Sequence, residues 1–222
     1  MWLALISAIS VCVLLASPAT TTTTNENQNR LSFTEKNGIN YTVFEHAATA
    51  SKIEFVKNPG ICETTLGVGQ YSGYLSVGED MNMWFWYPLS APLSLIIFDT
   101  NTEKRFFESR TTPESAPLAA WLNGGPGCSS MVGLFQENGP CRFVNGEEKP
   151  SLNPYSFNNY ANMLYIDQPV GVGFSYGNDT AVDSTAAAAP YVWTLLQVFY
   201  AHFPRYKSRE FGVFTEVPLP CL

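Results

Sequence analysis

Three short apolar runs limit what this chain can fold into. Leu118-Ala-Ala-Trp-Leu122, Asn162-Met-Leu-Tyr-Ile166 and Phe211-Gly-Val-Phe214 are almost continuous in apolar residues. A strand with one wet face alternates apolar and polar residues; a strand buried on both faces does not. Each run stops at turn or polar residues: Asn123-Gly-Gly-Pro-Gly127, Gln168-Pro169 and Thr215-Glu216. Between the second and third runs lies a helical stretch. Asp183 can cap it, Ala186 to Ala189 favour it, and Tyr191, Leu195, Val198, Phe199 and His202 recur on one face. Pro190 either kinks this helix or opens a second one. Strand, helix, strand in this order predicts a right-handed βαβ unit in a mixed, mostly parallel sheet.

Upstream, Gln70–Val77 and Met81–Trp86 alternate around Gly78-Glu79-Asp80 and predict a β-hairpin. Residues 20–38 are polar and rich in Asn and Thr, so they predict a disordered, propeptide-like lead-in. The resulting division is a signal peptide at 1–19, a polar lead-in at 20–54, a partial domain at 55–216 and an aberrant tail at 217–222. Within the domain, 87–105 reads as an atypical insertion, punctuated by Pro88 and Pro92.

The chain is 45% hydrophobic, enough for a sizeable core, and its net charge of -7 argues against a nucleic-acid partner. Leu3–Ala16 is an apolar core closed by Ser17-Pro18-Ala19, the layout of a secretory signal peptide, although no Lys or Arg precedes it. Export places the mature chain in the secretory pathway, secreted or vacuolar, with no stable membrane association after cleavage. Cys62, Cys128, Cys141 and Cys221 then meet an oxidising compartment, and their three possible pairings stay open. Asn40 and Asn178 head sequons and are glycosylation candidates. No metal-ligand spacing appears, and Gly171-Val-Gly173 is too short a glycine pattern for a nucleotide, so no cofactor or metal is expected.

The most specific stretch is Trp121-Leu-Asn-Gly-Gly-Pro-Gly-Cys-Ser-Ser130, followed by Gly133-Leu-Phe-Gln-Glu137. A glycine pair after a buried strand lets backbone N–H groups face a cleft, as an oxyanion hole requires. With Asn58-Pro-Gly-Ile-Cys62, Met81-Asn-Met-Trp-Phe-Trp86, Tyr160-Ala-Asn-Met-Leu-Tyr-Ile-Asp-Gln-Pro169 and Gly171-Val-Gly-Phe-Ser-Tyr-Gly177, it resembles the serine carboxypeptidase family, most closely the secreted fungal kind.

The resemblance implies the N-terminal portion of an α/β-hydrolase fold, cut before the nucleophile elbow. It implies release of C-terminal residues from peptides through an acyl-enzyme. It assigns an oxyanion N–H to Gly125, and it assigns Asn123, Gly124, Glu137 and Glu216 to the substrate's terminal carboxylate. Two glutamates facing an anion cannot both be ionised, so they share a proton and favour acidic working pH. The family's nucleophilic Ser follows the residue matching Glu216; here Val217 stands there. The family's Asp and His lie further on, in a chain roughly twice this length. His46 and His202 are out of place as bases, and the chain as given is expected to be inactive. A non-catalytic peptide-carboxylate-binding protein and another hydrolase or acyltransferase of this fold are the alternatives.

Gly173-Phe-Ser175-Tyr-Gly177 fits the elbow motif G-x-S-x-G but lacks a strand directly before it and a helix directly after it, so it reads as a cleft loop. In the family the run matching Met81–Trp86 continues directly into one matching Phe106–Arg110. Residues 87–105 and 217–222 therefore read as retained introns or gene-prediction errors, against a genuine insertion loop and a short paralogue. Partners for Cys62 and Cys128 are expected in the absent half, and the third apolar run is expected to present an unpaired, aggregation-prone edge.

Overall fold

The computed structural model describes residues 28–57, 59–65, 68, 70–88, 109–112, 114–124 and 127–216. The expected signal peptide at 1–19, Gly125, most of the expected insertion at 87–105, Cys221 and residues 217–222 lie outside the described residues. One large sheet dominates. Its strands are β1 (Arg30–Lys36), β2 (Ile39–His46), β3 (Ser51–Lys57), β4 (Gln70–Gly78), β5 (Met81–Pro88), β6 (Leu118–Asn123), β9 (Asn162–Ile166), β10 (Tyr176–Gly177) and β11 (Phe211–Glu216). The order is β1-β2-β3-β4-β5-β9-β6-β11, with β10 beside β5. A two-stranded ribbon pairs β7 (Cys141–Arg142) with β8 (Ser151–Leu152).

The sheet is mixed, as expected for the front of an α/β-hydrolase, but its parallel share is small. Only β9, β6 and β11 run parallel; β1 to β5, and β5 with β9, pair antiparallel. The correction has a physical source: hairpins need only tight turns, so the meander formed by β1 to β5 requires no crossover helix. The polar lead-in is corrected too. From Arg30 onward it supplies β1, β2 and most of β3, hydrogen-bonded in unbroken register. The Gln70–Trp86 hairpin forms as expected, with a bulge at Ser76/Gly78.

Helix α1 (Thr185–His202) packs across β2, β3 and β4. Its cap is Ser184, whose hydroxyl accepts the Ala187 N–H at 3.3 Å, rather than the neighbouring Asp183. Pro190 sits inside one unbroken helix; it and Ala186 are both exposed, so the carbonyl that loses its partner is left to water. Leu195, Val198 and Phe199 are buried on the expected face.

Alternation sorts the central strands between two cores. Met83, Phe85, Leu118, Ala120, Leu164 and Ile166 face α1. Trp84, Trp86, Ala119, Met163 and Tyr165 face the other way, toward Met131, Leu134 and the Cys62–Cys141 disulfide. Coverage on both faces is why these strands read as continuous apolar runs. The disulfide corrects the expectation that Cys62 waits for a partner elsewhere. The Cys62 loop is drawn in by Glu63, which is fully buried and clamped by Arg110 through Nε at 3.0 Å and Nη2 at 2.8 Å. The same Nη2 donates to the carbonyl of Pro140, next to Cys141.

Candidate active site

β6 and β11 end together. Asn123 is the register partner of Glu216, and the Gly124 N–H donates to the Glu216 carbonyl at 2.7 Å. This pairing brings a residue from the far end of the chain beside the Asn123-Gly124 turn. Asn123 is fully buried. Its Oδ1 accepts two donors, Trp121 Nε1 at 2.7 Å and the Gly133 N–H at 3.1 Å. Two donors on one atom identify it as the oxygen, so the amide nitrogen must face the other way. There Nδ2 lies 3.5 Å from Glu137 Oε2 and 3.5 Å from Glu216 Oε2.

Glu137 ends the helical turn Gly133–Glu137, which is wound in the wide π form. Only glycine fits at its start: a Cβ on Gly133 would lie 2.2 Å from Trp121 Nε1 and 2.7 Å from Asn123 Oδ1. The Glu137 carboxyl is held above the ordinary glutamate range. Partial burial contributes most, then the hydrogen bond to Glu216 and its charge; the Asn123 amide acts in the opposite direction. A glutamate that keeps its proton and donates it to a neighbouring carboxylate gives the pair one proton and one charge between them. With the Asn123 N–H beside it, the pair can offer donors to an incoming carboxylate while it remains protonated.

The structure thus joins Asn123, Gly124, Glu137 and Glu216, all four residues assigned by resemblance to carboxylate recognition. Trp121 and Gly133 were missed. The available signal was spacing: residues two apart on a strand share a face, which sets Trp121 over Asn123. Ser175 is placed as a loop residue. Its hydroxyl donates to the Asp167 carbonyl at 2.7 Å and accepts the Trp84 N–H at 2.8 Å, so it is committed to bracing. His46 lies in β2, and His202 closes α1 against Phe44 and Phe55. At least three strands, β4, β5 and β9, separate that corner from β6. Asn40 and Asn178 are exposed, and Thr180 Oγ1 donates to Asn178 Oδ1 at 2.7 Å. Among the described residues no group of three or more His, Cys, Asp or Glu could hold a metal, and no helix is long and apolar enough to cross a membrane.

Fold and site together define part of an α/β-hydrolase in which the Asn123 amide, where two parallel strands end, faces the carboxyls of Glu137 and Glu216. Residues 105–217 match the serine carboxypeptidase family, and the chain belongs to it. It is 66% identical over 162 residues to carboxypeptidase S1 of Penicillium janthinellum, a match covering 73% of this chain and 34% of that protein. It is 43% identical over 145 residues to carboxypeptidase Y of Komagataella phaffii, covering 65% of this chain and 24% of that one. Against carboxypeptidase Y of Saccharomyces cerevisiae the figures are 39% over 165 residues, 73% and 27%. The chain spans about a third or less of the length of these relatives.

Proposed function

We propose that these residues form the carboxylate-recognition half of a serine carboxypeptidase site, which holds the free C-terminus of a peptide while another part of the enzyme supplies the nucleophile. The observation that carries this reading is the Asn123 amide nitrogen aimed at both Glu137 and Glu216. Its oxygen is already committed, so the amide can only donate into the site. A terminal carboxylate accepts on both oxygens and matches a surface of one amide N–H and one carboxyl O–H. Gly125 would add an oxyanion N–H, by resemblance alone.

Within these 222 residues no nucleophile follows Glu216: Val217 occupies that place. The reading is therefore of a chain that binds and does not hydrolyse in this form. A signal peptide at 1–19, export to the medium or a vacuole, and glycans at Asn40 and Asn178 belong to the same proposal. The carboxypeptidase names of the relatives support it, as does the exposure of both asparagines.

Calorimetry at pH 5 with an N-acyl dipeptide tests the reading. The free acid should bind the chain and the Asn123→Ala variant should bind it about tenfold more weakly, the value of one hydrogen bond to a charged group. Equal affinity in the two proteins would end the proposal. Turnover of the peptide by the chain would end the claim that it does not hydrolyse.

A further inference from the structure

At the end of β9, Asp167 has a fully buried carboxylate on which three donors converge. Its Oδ1 accepts from Ser129 Oγ at 2.6 Å and from the Ser130 N–H at 2.8 Å; its Oδ2 accepts the Phe174 N–H at 2.9 Å. Ser129 Oγ in turn accepts the Met131 N–H at 3.2 Å. Residues 129–131 are the entry to the helical turn that carries Glu137, so its first N–H groups are held by Asp167 from another strand, directly at Ser130 and through Ser129 Oγ at Met131. Ser130 extends the link. Its hydroxyl donates to the Ile166 carbonyl at 2.5 Å and accepts the Asn123 N–H at 3.1 Å. One carboxylate therefore leads to Asn123 in two steps, and to Glu137 along the turn.

We propose that Asp167 is a positioning residue for the carboxylate grip, fixing the turn of Glu137 against the end of β6. The charge type matters. An ionised carboxylate accepts on both oxygens, whereas an asparagine there would set its NH₂ against a hydroxyl or an N–H that is itself a donor. There is little room for adjustment: a Cβ on Gly173 would lie 2.2 Å from Asp167 Oδ2 and 2.6 Å from Ser129 Oγ. The proposal rests on the carboxypeptidase reading only for what the grip binds; the geometry is a property of the ligand-free chain.

The test therefore uses the ligand-free 222-residue chain. Nuclear magnetic resonance follows the Glu137 carboxyl titration and the amide exchange of Ser130, Met131 and Phe174. In Asp167→Asn the Glu137 midpoint should fall toward the ordinary glutamate value of about 4.3, as Glu137 drifts from Glu216. Exchange at the three amides should accelerate about tenfold or more, while the β3–β4 ladder stays protected. Ser129→Ala, which removes one link and leaves the charge, should shift both readouts the same way by less, and it carries the test if Asp167→Asn does not fold. An unchanged Glu137 midpoint in the folded Asp167→Asn chain, or in Ser129→Ala where that is the chain that folds, overturns the proposal. Peptide binding is not part of the readout, so failure here and failure of the carboxylate reading are separate results.

Discussion

The main-chain N–H of Gly124 donates to the main-chain carbonyl of Glu216 across 2.7 Å. This bond closes the β6–β11 ladder and delivers Glu216 to Asn123, 93 residues away in sequence. The geometry of the site then depends on which way the Asn123 amide faces, and Trp121 helps to decide that. Replacing Trp121 with Phe keeps the ring contact with Phe157 and removes the indole donor at 2.7 Å. Free-acid peptide affinity should drop about tenfold, the value of one buried hydrogen bond, with the melting temperature changed by only a few degrees. Binding assays beside a thermal melt check this. Unchanged affinity would mean that Gly133 alone orients the amide.

The Glu63–Arg110 fork makes a stability prediction. Arg110 also donates to the Asn153 carbonyl at 2.8 Å and to Asn159 Oδ1 at 3.2 Å, so it ties four loops together. Arg110→Met leaves the Glu63 carboxylate buried and without its counter-ion, a cost of about 3–5 kcal/mol. Adding Glu63→Leu should recover part of that loss, because the stranded charge goes with it. Urea unfolding of the two variants measures the difference. A double variant no better than Arg110→Met would contradict the account.

His202 sets an acid limit. It packs on Phe203, Phe44 and Phe55 with ring centroids 4.5, 4.7 and 5.4 Å away, and burial lowers its pKa to about 4. The folded chain therefore prefers a neutral imidazole. The stabilisation is fully present above pH 6.5 and is lost as pH falls through 6.5 toward 4, an effect of about 3 kcal/mol. Glu137 has the opposite sign: its raised pKa favours the folded chain at low pH, and the advantage is lost as pH rises through the folded value. His202→Phe should flatten the acid side of the stability profile and leave peptide recognition intact. A profile as steep as that of the parent chain would assign the acid sensitivity elsewhere.

Removing residues 87–105 takes Tyr87 and Pro88 from the end of β5, where they pair with Tyr71 and Gln70, and Phe106 and Phe107 should take their places in the sheet. β5 pairs antiparallel with β9 through Phe85↔Ile166 and Trp86↔Tyr165. Beyond the insertion, the Ser109 N–H meets Asn162 Oδ1 at 3.1 Å and the Arg110 N–H meets the Asn158 carbonyl at 2.8 Å. Continuing the β5 register past Tyr165 leads to that place. Joining Trp86 to Phe106 leaves three residues before Ser109, a four-step strand span of about 13 Å. The shortened chain should melt at the same temperature as the parent or higher. A fall of more than about 5 °C, roughly 1 kcal/mol for a small domain, would show that the segment is integral.

β6 and β9 were legible because burial on both faces removes alternation; β11 carries the same kind of apolar run and pairs in parallel as expected, but it is not buried, with Phe211, Val213 and Phe214 exposed. β1 was not legible: as an edge strand it buries little, with Phe33 at 74% exposure, and its composition resembles that of a linker. Among the described residues β11 ends the sheet order, with Val213 and Phe214 exposed. Asn123, Glu137 and Glu216 came from family likeness, since a glutamate in a helical turn carries no mark of its partners. The roles of Trp121 and Gly133 became visible only once strand and turn were packed. The Cys62–Cys141 pairing could not be chosen from spacing, because a buried ion pair outside the cysteine pattern selects it.

The most direct test is the affinity ratio of one N-acyl dipeptide as free acid and as amide, measured at pH 5 and pH 7.5. Burial and Glu216 hold the Glu137 carboxyl above the ordinary glutamate range, so at the lower pH the free acid should bind about tenfold or more tightly than the amide. As pH rises through the Glu137 titration the site loses the proton it would donate, and the preference should collapse or invert. A preference for the free acid that is absent at pH 5, or that is undiminished at pH 7.5, would contradict a grip built on a shared proton.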